Sequence, residues 1–199
     1  MAKKRRKKTD DTRRAILEAA CRFFSQKGVL GTSFSDIAKE AGLSKGTVSY
    51  YFPSKEHLVY EVNEFNLNRI TSLLFLWIEG VSAEDSVEAA ISSLMAMMAQ
   101  EGQCLSIQLC MVFESVQDSF GLKKRVVEKL NEWATMIKIG LMKTGCAEDE
   151  IDMHATIASA LLDSLIMRSA LGLESRPVST IYHGMAPPRG KISHICANH

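Results

Sequence analysis

No stretch of this sequence is apolar for long enough to cross a bilayer. The longest apolar segments, around "LLFLWI" and "IASALLDSLIM", are too short or too interrupted. The N-terminus, "MAKKRRKKTDDTRR", is charged and lacks the apolar core of a signal peptide, so a cytoplasmic protein with no membrane partner is expected. Proline is scarce, and three of the four prolines lie beyond residue 176. No segment alternates apolar and polar residues as a half-buried strand would, and no hairpin dipeptide separates two such runs. The five cysteines form no C-x-x-C pair and are odd in number, which points to reduced thiols. The five histidines show no zinc-ligand spacing, so no metal site and no cofactor are expected. Enzyme signatures are missing too. There is no G-x-S-x-G, no phosphate-cradling glycine loop and no H-E-x-x-H, so no residue is assigned a catalytic role.

What is present is helical period and a divided charge. Residues 1–57 carry thirteen Lys/Arg against six Asp/Glu, a balance of +7, while residues 58–199 carry eleven against seventeen, a balance of −6. A basic front end suits an anionic partner. Residues 12–27 place Ile16, Ala20, Phe23 and Phe24 on one face, with Gly28 as a stop. Ser33 and Asp36 have capping-box spacing before a short helix that Gly42 ends. Ser44 can cap the next helix, over 45–51, and Pro53 closes it. A long helix follows to about Trp77, with Leu58, Val62, Phe65, Ile70, Leu73 and Trp77 mainly inward. Ser82 and Asp85 predict another capping box, opening a helix to about Met98, and Gly102 breaks the chain after it. The spacing of Val127, Leu130, Ala134, Ile137 and Leu141 predicts an apolar seam on a helix over 122–144. Ile151, Ala155, Ala158, Leu162 and Leu165 predict a second seam over 148–171. The fold class is therefore all-α.

Two short helices joined by a glycine turn, the second exposed and polar, form a helix-turn-helix pattern whose second helix enters a DNA major groove. Gly46 would let backbone approach DNA. Lys45 and Thr47 lie in the first turn and suit base edges, and Tyr50 and Tyr51 suit phosphate oxygens. Val48 and Phe52 should pin this helix to Ile37 and Phe24. Lys55 adds a cation beside a helix N-terminus. The run Lys3, Lys4, Arg5, Arg6, Lys7, Lys8 can follow phosphates or enter a minor groove.

The segment "TSFSDIAKEAGLSKGTVSYYFPSKEHLV", with "ILEAACRFFSQKG" before it, resembles the DNA-binding signature of TetR-type (TetR/AcrR) bacterial transcription regulators over residues 12–60. Ser49 departs from the pattern, standing where many members carry an aromatic residue. The resemblance implies an all-α homodimer that binds a palindromic operator in double-stranded DNA. It also implies a helical body that holds a small-molecule effector, and release from DNA when that effector binds. The organisation expected is a basic arm (1–11), a helix-turn-helix domain (12–57), a regulatory and dimerisation domain (58–175) and a poorly ordered tail (176–199). DNA contacts are expected from Lys45, Gly46, Thr47, Ser49, Tyr50, Tyr51, Lys55, Ser33, Ser44, Arg5 and Arg6.

The body is rich in soft, large side chains. Met95, Met98, Met111, Phe113, Trp133 and Met136 are pocket candidates for a largely apolar effector, though each taken singly suits plain core packing. Gln108, Glu114, Asn131 and His154 are candidate polar anchors. Ile137, Leu141, Ala158, Leu162 and Leu165 are dimer-interface candidates, and Asp163 is expected near that seam, paired with Arg168. The competing reading is an all-helical small-molecule-binding or interaction module without a DNA role.

Overall fold

The computed structural model describes residues 2–118 and 120–174, and the expected tail lies outside them. The described residues form eight helices and no strand: α1 (Ala2–Lys27), α2 (Phe34–Glu40), α3 (Lys45–Tyr51), α4 (Lys55–Gly80), α5 (Val87–Ala99), α6 (Gly102–Gln117), α7 (Lys123–Met142) and α8 (Glu148–Ala170). The backbone of residues 2–11 is helical and continuous with α1, where a separate arm was expected.

Serine sets the start of four helices. Ser33, Ser44, Ser54 and Ser86 each accept a hydrogen bond from the backbone N–H three residues on. Ser86 is a correction. The Ser82–Asp85 pair does bond, with the Ser82 N–H donating to the Asp85 carboxylate at 2.8 Å, but it closes a separate turn. The helix begins later because Ser86 Oγ accepts from the Ala89 N–H at 3.1 Å.

Buried side chains form two clusters. The first unites α1, α2 and α3 with the start of α4, and it takes in Ile107 and Met111 of α6 and Leu122 and Val126 beyond it. The second fills the space between the rest of α4 and α5, α6, α7 and α8, around Trp77, Met98, Trp133 and Leu162. α4 joins the two: Leu58, Val59 and Val62 lie in the first cluster, Leu67, Ile70, Leu74 and Trp77 in the second. A polar seam lies between them. Asn63, Asn66 and Gln108 are all buried, and the Asn66 amide donates to Gln108 Oε1 at 3.0 Å. The two amide atoms of Asn63 and Gln108 Nε2 have no hydrogen-bond partner among the described residues.

α7 is rotated from its expected seam. Val127 is exposed, Leu130 and Ala134 are half-buried, and Val126, Trp133, Met136, Ile137 and Gly140 point inward. Trp133 decides this rotation. Its large ring is buried and its indole N–H donates to Thr71 Oγ1 on α4 at 2.9 Å.

The residues expected at a dimer interface face the core of a single subunit. Ile137, Leu141, Ala158, Leu162 and Leu165 are all buried within one subunit, because α7 and α8 pack their seams against α4, α5 and α6. Asp163 is exposed on α8, and Arg168 donates to the Glu174 carbonyl at 2.7 Å instead of pairing with it. Partial burial still pushes the Asp163 carboxyl up from its ordinary pKa.

Candidate nucleic-acid interface

The helix-turn-helix is built by local chemistry. Gly42, at φ +65°, takes the left-handed conformation that ends α2. The Leu43 N–H then reaches back to the Ala38 carbonyl at 2.8 Å, closing a Schellman turn. At the far side of the turn, Ser44 Oγ accepts from the Thr47 N–H at 3.0 Å and lies 2.9 Å from Thr47 Oγ1. Val48 and Phe52 are fully buried in the same cluster as Ile37 and Phe24, as their positions predict. Phe52 also holds α1 and α4: the Arg13 guanidinium sits over its ring at 5.6 Å, and the His57 ring lies 5.7 Å away.

With one face of α3 pinned, the opposite face is free. Lys45, Gly46, Ser49 and Tyr50 are exposed, Tyr50 to 82%. Gly46, Ser49 and Tyr50 fall at i, i+3 and i+4, so they share a helix face. Gly46 is informative because no packing among the described residues requires it. A Cβ added there would meet only Ser44 Oγ, at an easy 3.7 Å. A glycine inside a helix costs roughly 0.5–1 kcal/mol against alanine. Packing among the described residues does not offset that cost.

The other expected contact residues divide. Tyr51 is half-buried, packed against the first cluster, and meets Tyr50 edge-on at 5.5 Å between ring centres. Thr47 is half-buried with its hydroxyl beside the cap. Ser33 and Ser44 are exposed helix caps. The Ser33 N–H and hydroxyl both donate to Asp36, which holds that carboxyl below its ordinary pKa. Lys55 is already engaged. Its ammonium donates to the Thr32 carbonyl and lies 5.2 Å from the centre of the Phe24 ring, and burial pushes its pKa down. It ties α4 to the turn before α2. The side chains of Arg5 and Arg6 lie outside the described residues.

The pocket candidates also divide. Met95, Met98, Trp133 and Met136 lie together in the second cluster. Met111 lies in the first cluster, and Phe113, 63% exposed, is on the outer face of α6. These two are not in the core of the body. Of the polar candidates only Gln108 is buried, in the seam against Asn66; Asn131 is exposed.

Sequence comparison fits this geometry. Residues 16–62, which hold the C-terminal part of α1, all of α2 and α3 and the start of α4, match the family described as bacterial regulatory proteins, tetR family. The HTH-type transcriptional regulator LmrA of Bacillus subtilis is 28% identical over 84% of this chain and 91% of its own. AcrR of Shigella flexneri is 40% identical, over 37% of this chain and 34% of its own. Among solved structures, a TerR/AcrR-family regulator from Aquifex aeolicus superposes with a TM-score of 0.63 at 24% identity, covering 87% of this chain and 94% of its own. A regulator from Saccharomonospora viridis, solved in complex with choline, gives a TM-score of 0.69 at 21% identity, covering 88% and 93%. No helix among the described residues is long and apolar enough to cross a membrane. Residues 16–62 thus match the DNA-binding, helix-turn-helix part of the tetR family of bacterial regulatory proteins, and they stand on an all-α body with the fold of solved regulators of that kind.

Proposed function

We propose that the protein is a repressor that binds a palindromic operator as a homodimer and is released by a small, largely apolar effector, with no catalytic step. The observation that carries the DNA reading is the uncovered face of α3, where Lys45, Ser49 and Tyr50 surround Gly46, a glycine that the fold itself does not need. Lys45 lies in the first turn, where a groove-entering helix meets bases, and Tyr50 lies further along, over the backbone. Lys45→Ala should therefore change base preference, at roughly 1–3 kcal/mol for a lost base contact. Tyr50→Phe should weaken binding about equally at all sequences. Measuring both variants against a library of single-base operator changes tests this. The opposite pattern, with Tyr50→Phe altering preference and Lys45→Ala not, would mean that α3 sits rotated in the groove.

The release mechanism is supported by α4. One rigid helix carries residues of both buried clusters, so a change in the packing of Met95, Met98, Trp133 and Met136 reaches the base of α3. The under-bonded seam of Asn63, Asn66 and Gln108 lies where the two clusters meet. The choline bound by the Saccharomonospora viridis regulator gives an example of a small organic ligand on this fold. A partner surface is supplied by the outer faces of α7 and α8, where Ile139, Met142, Met153 and Met167 are exposed. A groove of about 580 Å³ runs between these helices, lined by Thr135, Ala155, Thr156 and Ala160. A monomer exposing that much apolar side chain is disfavoured. Ile139→Glu and Met167→Glu should each convert the dimer into a folded monomer of 22.1 kDa, read by light scattering. A wild-type monomer at micromolar concentration would remove the dimer reading.

A further inference from the structure

The turn between α7 and α8 brings together three side chains that the DNA-binding reading does not use. Gly145, at φ +69°, ends α7 and turns the chain so that Cys146 lies beside the first turn of α8. Glu150 and His154 stand four and eight residues further on, one above the other on a single helix stripe. The Cys146 sulfur, a Glu150 carboxylate oxygen and a His154 ring nitrogen all lie within 4.8 Å of one another. Cys146 and His154 are half-buried and Glu150 is exposed, so the cluster is held by the fold on one side and open on the other.

We infer that Cys146, Glu150 and His154 form a three-ligand site for a thiophilic divalent transition ion of the zinc type. The donor set selects the class. Calcium and magnesium take oxygen ligands, whereas thiolate, imidazole and carboxylate together suit zinc and its neighbours. The geometry is close to closed. In a tetrahedral site, bonds of about 2.3 Å to sulfur and about 2.1 Å to nitrogen or oxygen hold the ligand atoms about 3.4–3.6 Å apart. Side-chain rotations that move the donors by about 1 Å bring them to that spacing. Three protein ligands leave a fourth position for water or an exogenous donor, as in open zinc sites. A bound ion clips the α7–α8 turn to the N-terminal stretch of α8.

The site stands independently of the repressor reading, and its test needs no operator. The full-length, reduced, metal-free protein is titrated with Co(II), followed by the thiolate-to-cobalt absorption band, and the cobalt is then displaced with Zn(II). One ion per chain is expected, with Zn(II) raising the thermal midpoint. Cys146→Ser should abolish the band, and His154→Gln and Glu150→Gln should each weaken binding by about tenfold or more, since changing even the groups that orient a ligand costs that much. The metal-free variants should melt where the metal-free wild type does, which separates lost ligands from lost folding. The chain carries other donors, His194 and Cys196 among them. A band that survives Cys146→Ser, one that disappears in Cys196→Ser or His194→Gln, or no saturable binding at all would each overturn the assignment.

Discussion

Phe52→Ala should cost about 3–5 kcal/mol of stability and abolish operator binding. Phe52 is fully buried at the C-terminal end of the recognition helix, and its N–H closes that helix on the Val48 carbonyl at 2.9 Å. Its ring is the surface on which α1, α3 and α4 meet, with Arg13 over one side and His57 near it. Truncation leaves a cavity that the helices cannot fill without moving, and α3 has only seven residues with which to hold its own position. So short a helix owes its stability to packing, not to propensity. The damage should spread, because Ile107 and Met111 of α6 belong to the same cluster. A thermal melt should fall by roughly 10 °C, at about 2–4 °C per kcal/mol for a chain of this size. Phe52→Leu, nearly volume-conserving, should cost less than about 1.5 kcal/mol and retain binding. A Phe52→Ala protein that melts with the wild type and binds operator normally would show that the cluster does not seat α3.

How much of this was legible in the sequence depends on range. Local signals were: Ser44 before α3, Gly42 after α2 and Gly145 after α7 each set the backbone where their residue type predicts. The pinning of Val48 and Phe52 was legible because the apolar positions of so short a helix leave one arrangement. Ser82–Asp85 misled because a capping box and an isolated turn share the same spacing. Only the competing Ser86 cap, four residues on, decides between them.

What sequence could not settle was which side of an apolar seam faces the subunit's own core. Leu162 and Leu165 fit a partner's helix as well as they fit α5 and α6, and periodicity reads the stripe without naming its neighbour. Lys55 is a similar case. A lysine at a helix N-terminus predicts an anion, and no local signal shows that it also donates to the Thr32 carbonyl, 23 residues away. The Cys146, Glu150 and His154 cluster escaped a search for paired cysteines and paired histidines. Its ligands are of three kinds, and the carboxylate stands between the other two.

Gly140→Val should be the most damaging single change in the body, at no less than about 3 kcal/mol, the top of the usual range for overpacking. Gly140 lies buried in α7 where the α4 helix crosses it, and the Trp77 ring occupies the space a side chain would fill. A Cβ built there falls 2.2 Å from Trp77 Cζ3 and 2.5 Å from Cη2. The ring cannot easily turn aside. Its indole N–H donates to the Ala90 carbonyl at 2.9 Å and to Ser93 Oγ at 3.2 Å, which fixes it to α5. Displacing it strands a buried donor, at about 1–3 kcal/mol, besides opening the α4–α7 contact. Gly140→Ala gains up to about 1 kcal/mol in helix propensity but meets the same clash, so it should still lose stability, by less than valine does. The double variant Gly140→Ala, Trp77→Phe separates the two effects. The smaller ring makes room for the methyl, so the alanine should cost less on the Trp77→Phe background than on the wild type. Thermal melts of the four proteins give that coupling directly. Strict additivity would mean that Trp77 is not what excludes a side chain at position 140.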